Sequence, residues 1–400
     1  MVSAVARPYI DASVPVLREH GLTITRTFYR NMFAEHPELT QIFNMGNQAS
    51  GVQQQSLAAA VFAYAANIDN AQALGPVVSR IVHKHASVGI RAEHYPIVGR
   101  HLLGAIKEVL GDAATPELIA AWAEAYGELA DALIDAEKTL YASANTAPGE
   151  LQSLRVVAVR QESDNIKSFV LAALPGEKIP AFKPGQYVSV SVTFPDGQTQ
   201  LRQYSLSDAP HPERLRISVK REVSEVGKPA GQVSNWLHDN VQAGMQLSVT
   251  HPFGEFTPDT ESTEPIVLLS AGVGITPMTA VLNRIRQVHP ERHVLFVHAA
   301  RGKHFHAHQE DLAAARVAMP NLQVAVFYED LQDDDVASGI FAGRMDINRL
   351  PQWPRSETHV YLCGPIGFMQ TQWATLLQKS VPASHLHREV FGPELLDHLT

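Results

Sequence analysis

At 400 residues, with 45% apolar and 18% charged side chains, the chain has material for two to four ordinary globular domains. A formal net charge of -9 argues against nucleic-acid binding as the main business, and the single cysteine, Cys363, excludes an internal disulfide, a thiolate zinc site and an iron–sulfur cluster. The first residues are interrupted by Arg7 and Asp11, and the most apolar run, residues 57–66, is far short of the ~20 needed to cross a bilayer, so no transmembrane segment and a cytoplasmic protein are expected.

Residues 1–147 read as an all-helical unit, rich in alanine, with helical periodicity and breaks at "EHPEL" and "MGNQASG". The clearest helix is residues 115–144, with Thr115 as N-cap, Pro116 at its first position and Glu117 in the first turn. Further upstream, Val78, Ile81, Val82 and His85 recur at i, i+3, i+4 and i+7, so His85 belongs to an apolar stripe. His83 lies about 200° away at roughly 100° per residue and is expected to face outward. One imidazole on an apolar wall does not suit zinc, which gathers three or four ligands. It suits either the axial ligand of a haem or a core histidine bonded to a carbonyl. From Leu39 to Ile68 no residue is charged, which fits an apolar ligand pocket and equally a buried core. "NTAPGE" (145–150) then reads as a linker.

The rhythm changes to period two in "LRVVAVRQES", "IKSFVLAAL", "GQYVSVSVTF" and "RLRISVKREV", with one helical piece near "QVSNWLHDNV". Residues 151–262 are therefore expected to form a closed antiparallel β-barrel. In "RQYS", Arg202 and Tyr204 share a strand face, where one suits a phosphate and the other covers a flat ring, while Ser205 suits a ring nitrogen. "GQVSNWLH" puts Gly231 and Ser234 at a helix start, where exposed amides attract phosphate. From residue 263 to the end, buried-type strands alternate with helices, the pattern of an α/β parallel sheet. "LLSAGVGITPMTAVL" supplies a strand, the turn glycines Gly272 and Gly274, and a helix expected to begin at Pro277; the standard G-x-G-x-x-G fingerprint is not met. "YLCGP" puts Cys363 at the carboxyl end of a later strand, where such sheets bind ligands. "DLQDDDVASG" (330–339) reads as a solvated loop.

Taken in order, these stretches resemble the ferredoxin–NADP reductase family over residues 152–400. The resemblance implies flavin contacts from Tyr187, Arg202, Gln203, Tyr204, Ser205, Gly231, Gln232 and Ser234. It implies nicotinamide-nucleotide contacts from Gly272, Val273, Gly274, Ile275, Thr276, Cys363, Gly364 and Pro365, and closure of the flavin pocket by the "FGP" of Phe391, Gly392 and Pro393. With a helical unit in front, the whole layout resembles the flavohaemoglobins. That likeness implies a globin carrying haem b on His85 as its iron ligand, with Tyr95 and Glu137 bonded behind it. Tyr29 and Gln53 are implied on the ligand side, with Phe43 and Leu57 lining the pocket. Residues matching Lys84 and Glu389 tune haem and flavin potentials in that family, and a salt bridge between them is the expectation here.

The implied activity is nitric oxide dioxygenation: NO and O2 become nitrate, with electrons passing from NAD(P)H through FAD to the haem. An oxygen-binding or sensing haem protein with its own reductase, and an alkyl hydroperoxide reductase, are kept as alternatives. A lipid in the haem pocket and the choice of NADH or NADPH stay open, and a monomer is expected.

Overall fold

In the computed structural model, which describes residues 2–68, 70–224 and 229–392, six α-helices precede the first strand. They are α1 (Arg7–Glu35), α2 (Met45–Ala49), α3 (Val52–Ala66), α4 (Ala71–Val88), α5 (His94–Leu110) and α6 (Pro116–Ala144). The α6 boundaries follow from chemistry legible in the sequence. Thr115 Oγ1 accepts from the Leu118 amide at 3.3 Å, Pro116 opens the first turn, and Asn145 ends the helix in the left-handed region at φ 51°. α4 stops at Gly89, whose φ is +76° and whose Cα faces the linker so closely that a Cβ there would lie 2.6 Å from the Gly149 backbone. The linker is thus seated on the helical unit.

Two apolar clusters fill that unit. One, around Ile10, Phe28, Met32, Ile106 and Trp122, joins α1, α3, α5 and α6. The other, around Val82, Tyr95, Ala130 and Leu133, lies between α4, α5 and α6. A domain of this size usually holds one contiguous core.

The second unit comprises β1 (Gln152–Ser163), β2 (Ile166–Ala172), β3 (Tyr187–Thr193), β4 (Thr199–Ser205), β5 (Arg214–Lys220), α7 (Gln232–Asn240) and β6 (Gln246–Val249). Its strands are antiparallel in the order β4-β3-β6-β1-β2-β5, and the Leu206–Ile217 bridge joins the two edges into the expected barrel. Alternate side chains such as Leu154, Phe169, Val190 and Ile217 fill its interior.

The third unit alternates β7 (Ile266–Ala271), α8 (Ile275–Val288), β8 (Val294–Ala300), α9 (Gln309–Ala318), β9 (Leu322–Tyr328), β10 (Ile340–Ala342), β11 (His359–Cys363), α10 (Ile366–Gln378) and β12 (Leu386–Glu389). All pairs are parallel, in the order β10-β9-β8-β7-β11-β12. The chain leaves β7 toward β8 and later returns to its other side with β11, so the crevice at the carboxyl ends of β7 and β11 is the switch point of the sheet. α8 begins at Ile275, two residues before the expected Pro277. Proline is tolerated there because first-turn amides have no intrahelical acceptor to lose. Residues 330–339 form the expected exposed loop, with Lys303 paired to Asp335 at 2.9 Å. Among the described residues no helix is long and apolar enough to cross a membrane.

Beside β8 lie three buried histidines, His298, His306 and His308. His306 Nδ1 bonds Tyr328 Oη at 2.8 Å, and its ring sits 4.6 Å from that of His298. Burial, with His308 and Arg316 nearby, lowers the His306 pKa to about 3. An unfolded histidine titrates near 6.5, so between pH 6.5 and about 3 the unfolded chain takes up a proton that the folded one refuses. Stability is therefore lost as pH falls through this window, by about 2 kcal/mol at pH 5 from His306 alone. The urea midpoint should drop from pH 7 to pH 5, and His306→Gln should flatten that dependence. An unaltered pH slope in the variant would show that the group does not titrate on unfolding.

Candidate active site

α4 carries His85, whose side chain is 34% exposed and whose ring meets that of Tyr95 edge-on at 6.1 Å. Its Nδ1 lies 2.8 Å from Glu137 Oε1 and 3.1 Å from Tyr95 Oη. The Tyr95 hydroxyl is already committed, donating to the same Glu137 oxygen at 2.5 Å. A carboxylate only accepts, so Nδ1 carries the proton, and the Nε2 lone pair is left for a metal. Glu137 is 3% exposed, and burial followed by the Glu137 hydrogen bond and charge raises the Tyr95 phenol well above its ordinary pKa. The sequence expectation that these three residues meet is met geometrically.

On the other helices, α1 carries Tyr29 and α3 carries Gln53. Gln53 Nε2 donates to Tyr29 Oη at 3.3 Å, which leaves the phenol proton free to be donated. Burial raises the Tyr29 pKa to about 12, so the donor persists at any physiological pH. Phe33 and Phe43 flank the Tyr29 ring at 5.7 Å each. Gln48, on α2, has a buried Nε2 with no hydrogen-bond partner among the described residues, and its nearness works against the effect of burial on Tyr29; sequence reading missed it because a five-residue helix carries no periodic signal. α3 has no charged residue, yet only Phe62, Ala63 and Ala65 of its fifteen residues are buried, and Leu57 is half-exposed. A helix that is uncharged yet leaves most of its residues unburied, together with an imidazole whose Nε2 lone pair is unused, suits a flat, apolar, iron-centred group. The residues fit a haem.

In the barrel, the register pairs Tyr187 with Ser205 and Val190 with Arg202 across β3 and β4. Ser205 Oγ and Tyr187 Oη are buried and have no hydrogen-bond partner among the described residues. Arg202 is half-buried, its pKa lowered by desolvation, and among the described residues it bonds the neutral oxygens of Gln200 and Leu201 and no carboxylate. Buried donors and a cation without an acid suit a polar, phosphate-bearing ring system such as FAD. Ser234 Oγ turns back to the Glu222 amide, and Gly231 packs against both residues, while Gln232 opens α7. Tyr204 is half-buried against the barrel core. Gln203, on the opposite strand face, donates to Ser87 of α4 at 2.6 Å.

At the switch point, a Cβ on Gly274 would stand 2.2 Å from the Cys363 carbonyl, so the two glycine-bearing turns touch through backbone. Gly272, at φ +54°, has open space around it, and Val273, Ile275 and Thr276 lead into the α8 N-terminus, a favourable place for a pyrophosphate. Gly364 and Pro365 follow Cys363 into α10, and Cys363 is fully buried, its thiol raised well above its ordinary pKa by burial. Gly274→Ala should push these turns apart and raise the KM for NAD(P)H by roughly tenfold or more, while leaving FAD content unchanged. An unaltered KM would separate this turn from nucleotide binding.

The helical unit meets the other two along α4. Arg80 pairs with Glu255 at 2.7 Å, and Lys84 Nζ donates to the Gly392 carbonyl at 2.6 Å. The expected Lys84–Glu389 salt bridge is thus corrected: the ammonium bonds tail backbone, and Glu389 acts on it through space. Burial, then the Glu255 carboxylate, raise the Glu389 carboxyl to about 7 against the pull of Lys84 and Arg80. His83 does not face solvent as expected; its Nδ1 accepts from the Gly254 amide at 3.0 Å, because the outward face of α4 is an interface. Phe391 is 43% exposed, and Pro393 lies outside the described residues.

Three family models match in the same order: Globin over residues 26–133, the oxidoreductase FAD-binding domain over 153–257, and the oxidoreductase NAD-binding domain over 268–373. A flavohemoprotein of Bordetella parapertussis is 49% identical over 98% of this chain and 99% of its own, and one of Rhizobium meliloti is 46% identical over 99% of each. The crystal structure of a Malassezia yamatoensis flavohemoglobin with bound FAD and heme superposes with a TM-score of 0.86 at 29% identity, covering 98% of this chain and all of that one. The FAD/NAD-binding domain of a nitric oxide dioxygenase from Vibrio cholerae matches 60% of this chain and 99% of its own at 35% identity, with a TM-score of 0.55. With such identity over its whole length, the chain belongs to the flavohemoprotein family.

Proposed function

We propose that this flavohemoprotein is an NAD(P)H-dependent nitric oxide dioxygenase that converts NO and O2 to nitrate. When bound, haem b held by His85 would supply the oxygen chemistry, and FAD would turn a hydride from NAD(P)H into single electrons. The observation that carries the reading is the pairing of a free phenol donor on Tyr29 with a carboxylate-backed imidazole at His85. Glu137 and Tyr95 hold the His85 ring and raise the basicity of its Nε2, which favours electron donation toward bound ligand. Tyr29 stabilises negative charge developing on the opposite side, and Gln53 steadies it. Phe43, Leu57 and the uncharged α3 would give the haem apolar surroundings. A reversible oxygen carrier has less use for so strong a push. The Vibrio cholerae nitric oxide dioxygenase relative points the same way for the reductase half.

The same reading divides the chain into a globin unit (1–147), an FAD barrel (151–262) and a nucleotide domain (263–400), working as a cytoplasmic monomer. One electron suffices to turn one NO and one O2 into nitrate, so each NAD(P)H should account for two of each. Stopped-flow consumption of NO and O2 against NAD(P)H tests this directly. Oxygen binding without NO-dependent turnover would favour a sensor, and turnover with alkyl hydroperoxides alone would favour the peroxidase reading.

A further inference from the structure

A second constellation of ligand-type side chains lies where α1 ends against α5. Glu35 is the last residue of α1, His36 follows it, and His101 projects from α5. A carboxylate oxygen of Glu35 and one nitrogen from each histidine all lie within 4.8 Å of one another. Zinc–nitrogen bonds of about 2.0–2.1 Å put tetrahedral ligand atoms roughly 3.4 Å apart, so side-chain adjustments of about an ångström close the set.

Two observations separate this cluster from an ordinary surface ion network. His101 is only 6% exposed, and its Nε2 is buried with no hydrogen-bond partner, 3.6 Å from Glu35 Oε2. A desolvated imidazole nitrogen aimed at a carboxylate and left unsatisfied calls for a ligand. His36 is oriented as a metal ligand would be: its Nδ1 lies 3.1 Å from Glu38, which takes the proton and leaves the Nε2 lone pair pointing inward. That lone pair is met by a cation already. The Arg100 guanidinium lies 3.0 Å from His36 Nε2 and 3.8 Å from Glu35 Oε2. Arg100 is 63% exposed on its side chain and free to swing outward.

We propose that Glu35, His36 and His101 form a binding site for a zinc-class divalent cation, with Arg100 as the stand-in cation it displaces. Three protein ligands leave one position for water. The site ties the end of α1, the helix that carries Tyr29, to α5. It lies outside the haem, flavin and nucleotide residues and does not depend on the activity assigned to them.

The test is competition for ZnCl2 between the haem- and FAD-loaded full chain and a chromophoric chelator. The parent should hold one tight zinc that His36→Ala and Glu35→Gln each lose. Glu35 is 63% exposed while His36 is half-buried, and unchanged haem and flavin spectra report an intact protein in both variants. Arg100→Gln should tighten the same zinc by about tenfold, since a competing positive charge has gone. A merely structural cluster would not respond in that direction. No tight zinc in the parent, equal zinc in His36→Ala, or unchanged affinity in Arg100→Gln would each overturn the proposal.

Discussion

Replacing His85 with alanine should strip the protein of haem while leaving its reductase half at work. The Soret absorbance per chain should fall more than about tenfold, the usual scale for losing metal-site support. FAD content and NAD(P)H-driven reduction of an artificial acceptor should persist, because Arg202, Ser205 and the Gly274 turn lie on other units. His83→Ala is the control. Its imidazole is engaged by the Gly254 amide, so haem should remain. A normal haem spectrum in His85→Ala would sink the assignment of the iron ligand.

Tyr29→Phe is expected to release O2 about ten- to a hundredfold faster. A charge-assisted hydrogen bond is worth roughly 1.5–3 kcal/mol, and ~1.4 kcal/mol is tenfold in an equilibrium. The substitution keeps the ring between Phe33 and Phe43 and removes only the proton that Gln53 leaves free. Carbon monoxide, a poor acceptor, should bind nearly as before, and NO turnover should fall with oxygen retention. Because the phenol titrates only near 12, the oxygen off-rate of the parent should be flat from pH 6 to 9. An off-rate within about twofold of the parent in Tyr29→Phe would reduce Tyr29 to a packing aromatic.

Much of this was legible in the chain, for identifiable reasons. Periodicity is local, so the stripe that carries His85, the cap at Thr115 and the alternation of the barrel strands could be read directly. Contacts across units could not. His83 looked outward because a helical wheel knows only the helix, and here the outside of α4 is another domain. Opposite charges at Lys84 and Glu389 suggested a bond, whereas the nearest oxygen is a backbone carbonyl three residues further along the tail. The α8 start was displaced because proline marks a first turn without marking which residue of it. Glu35, His36 and His101 were invisible as a group, since sixty-odd residues separate partners that only the α1–α5 packing brings together.

The face of α4 turned away from His85 has a bearing on inheritance. Arg80, His83, Lys84 and Ser87 engage three segments of the reductase half: the loop at Gly254 and Glu255, the Gly392 carbonyl, and Gln203 on β4. A chimera cut at the linker would graft a foreign α4 onto this reductase and mismatch four bonds at once, although each half kept its own fold. The heritable border between oxygen chemistry and electron supply therefore runs mainly along one helix surface, with Gln200 on the Thr40 carbonyl and Phe253 against Tyr141 adding to it, and a recombinant that carries those four side chains with the reductase should outperform one spliced at residue 150.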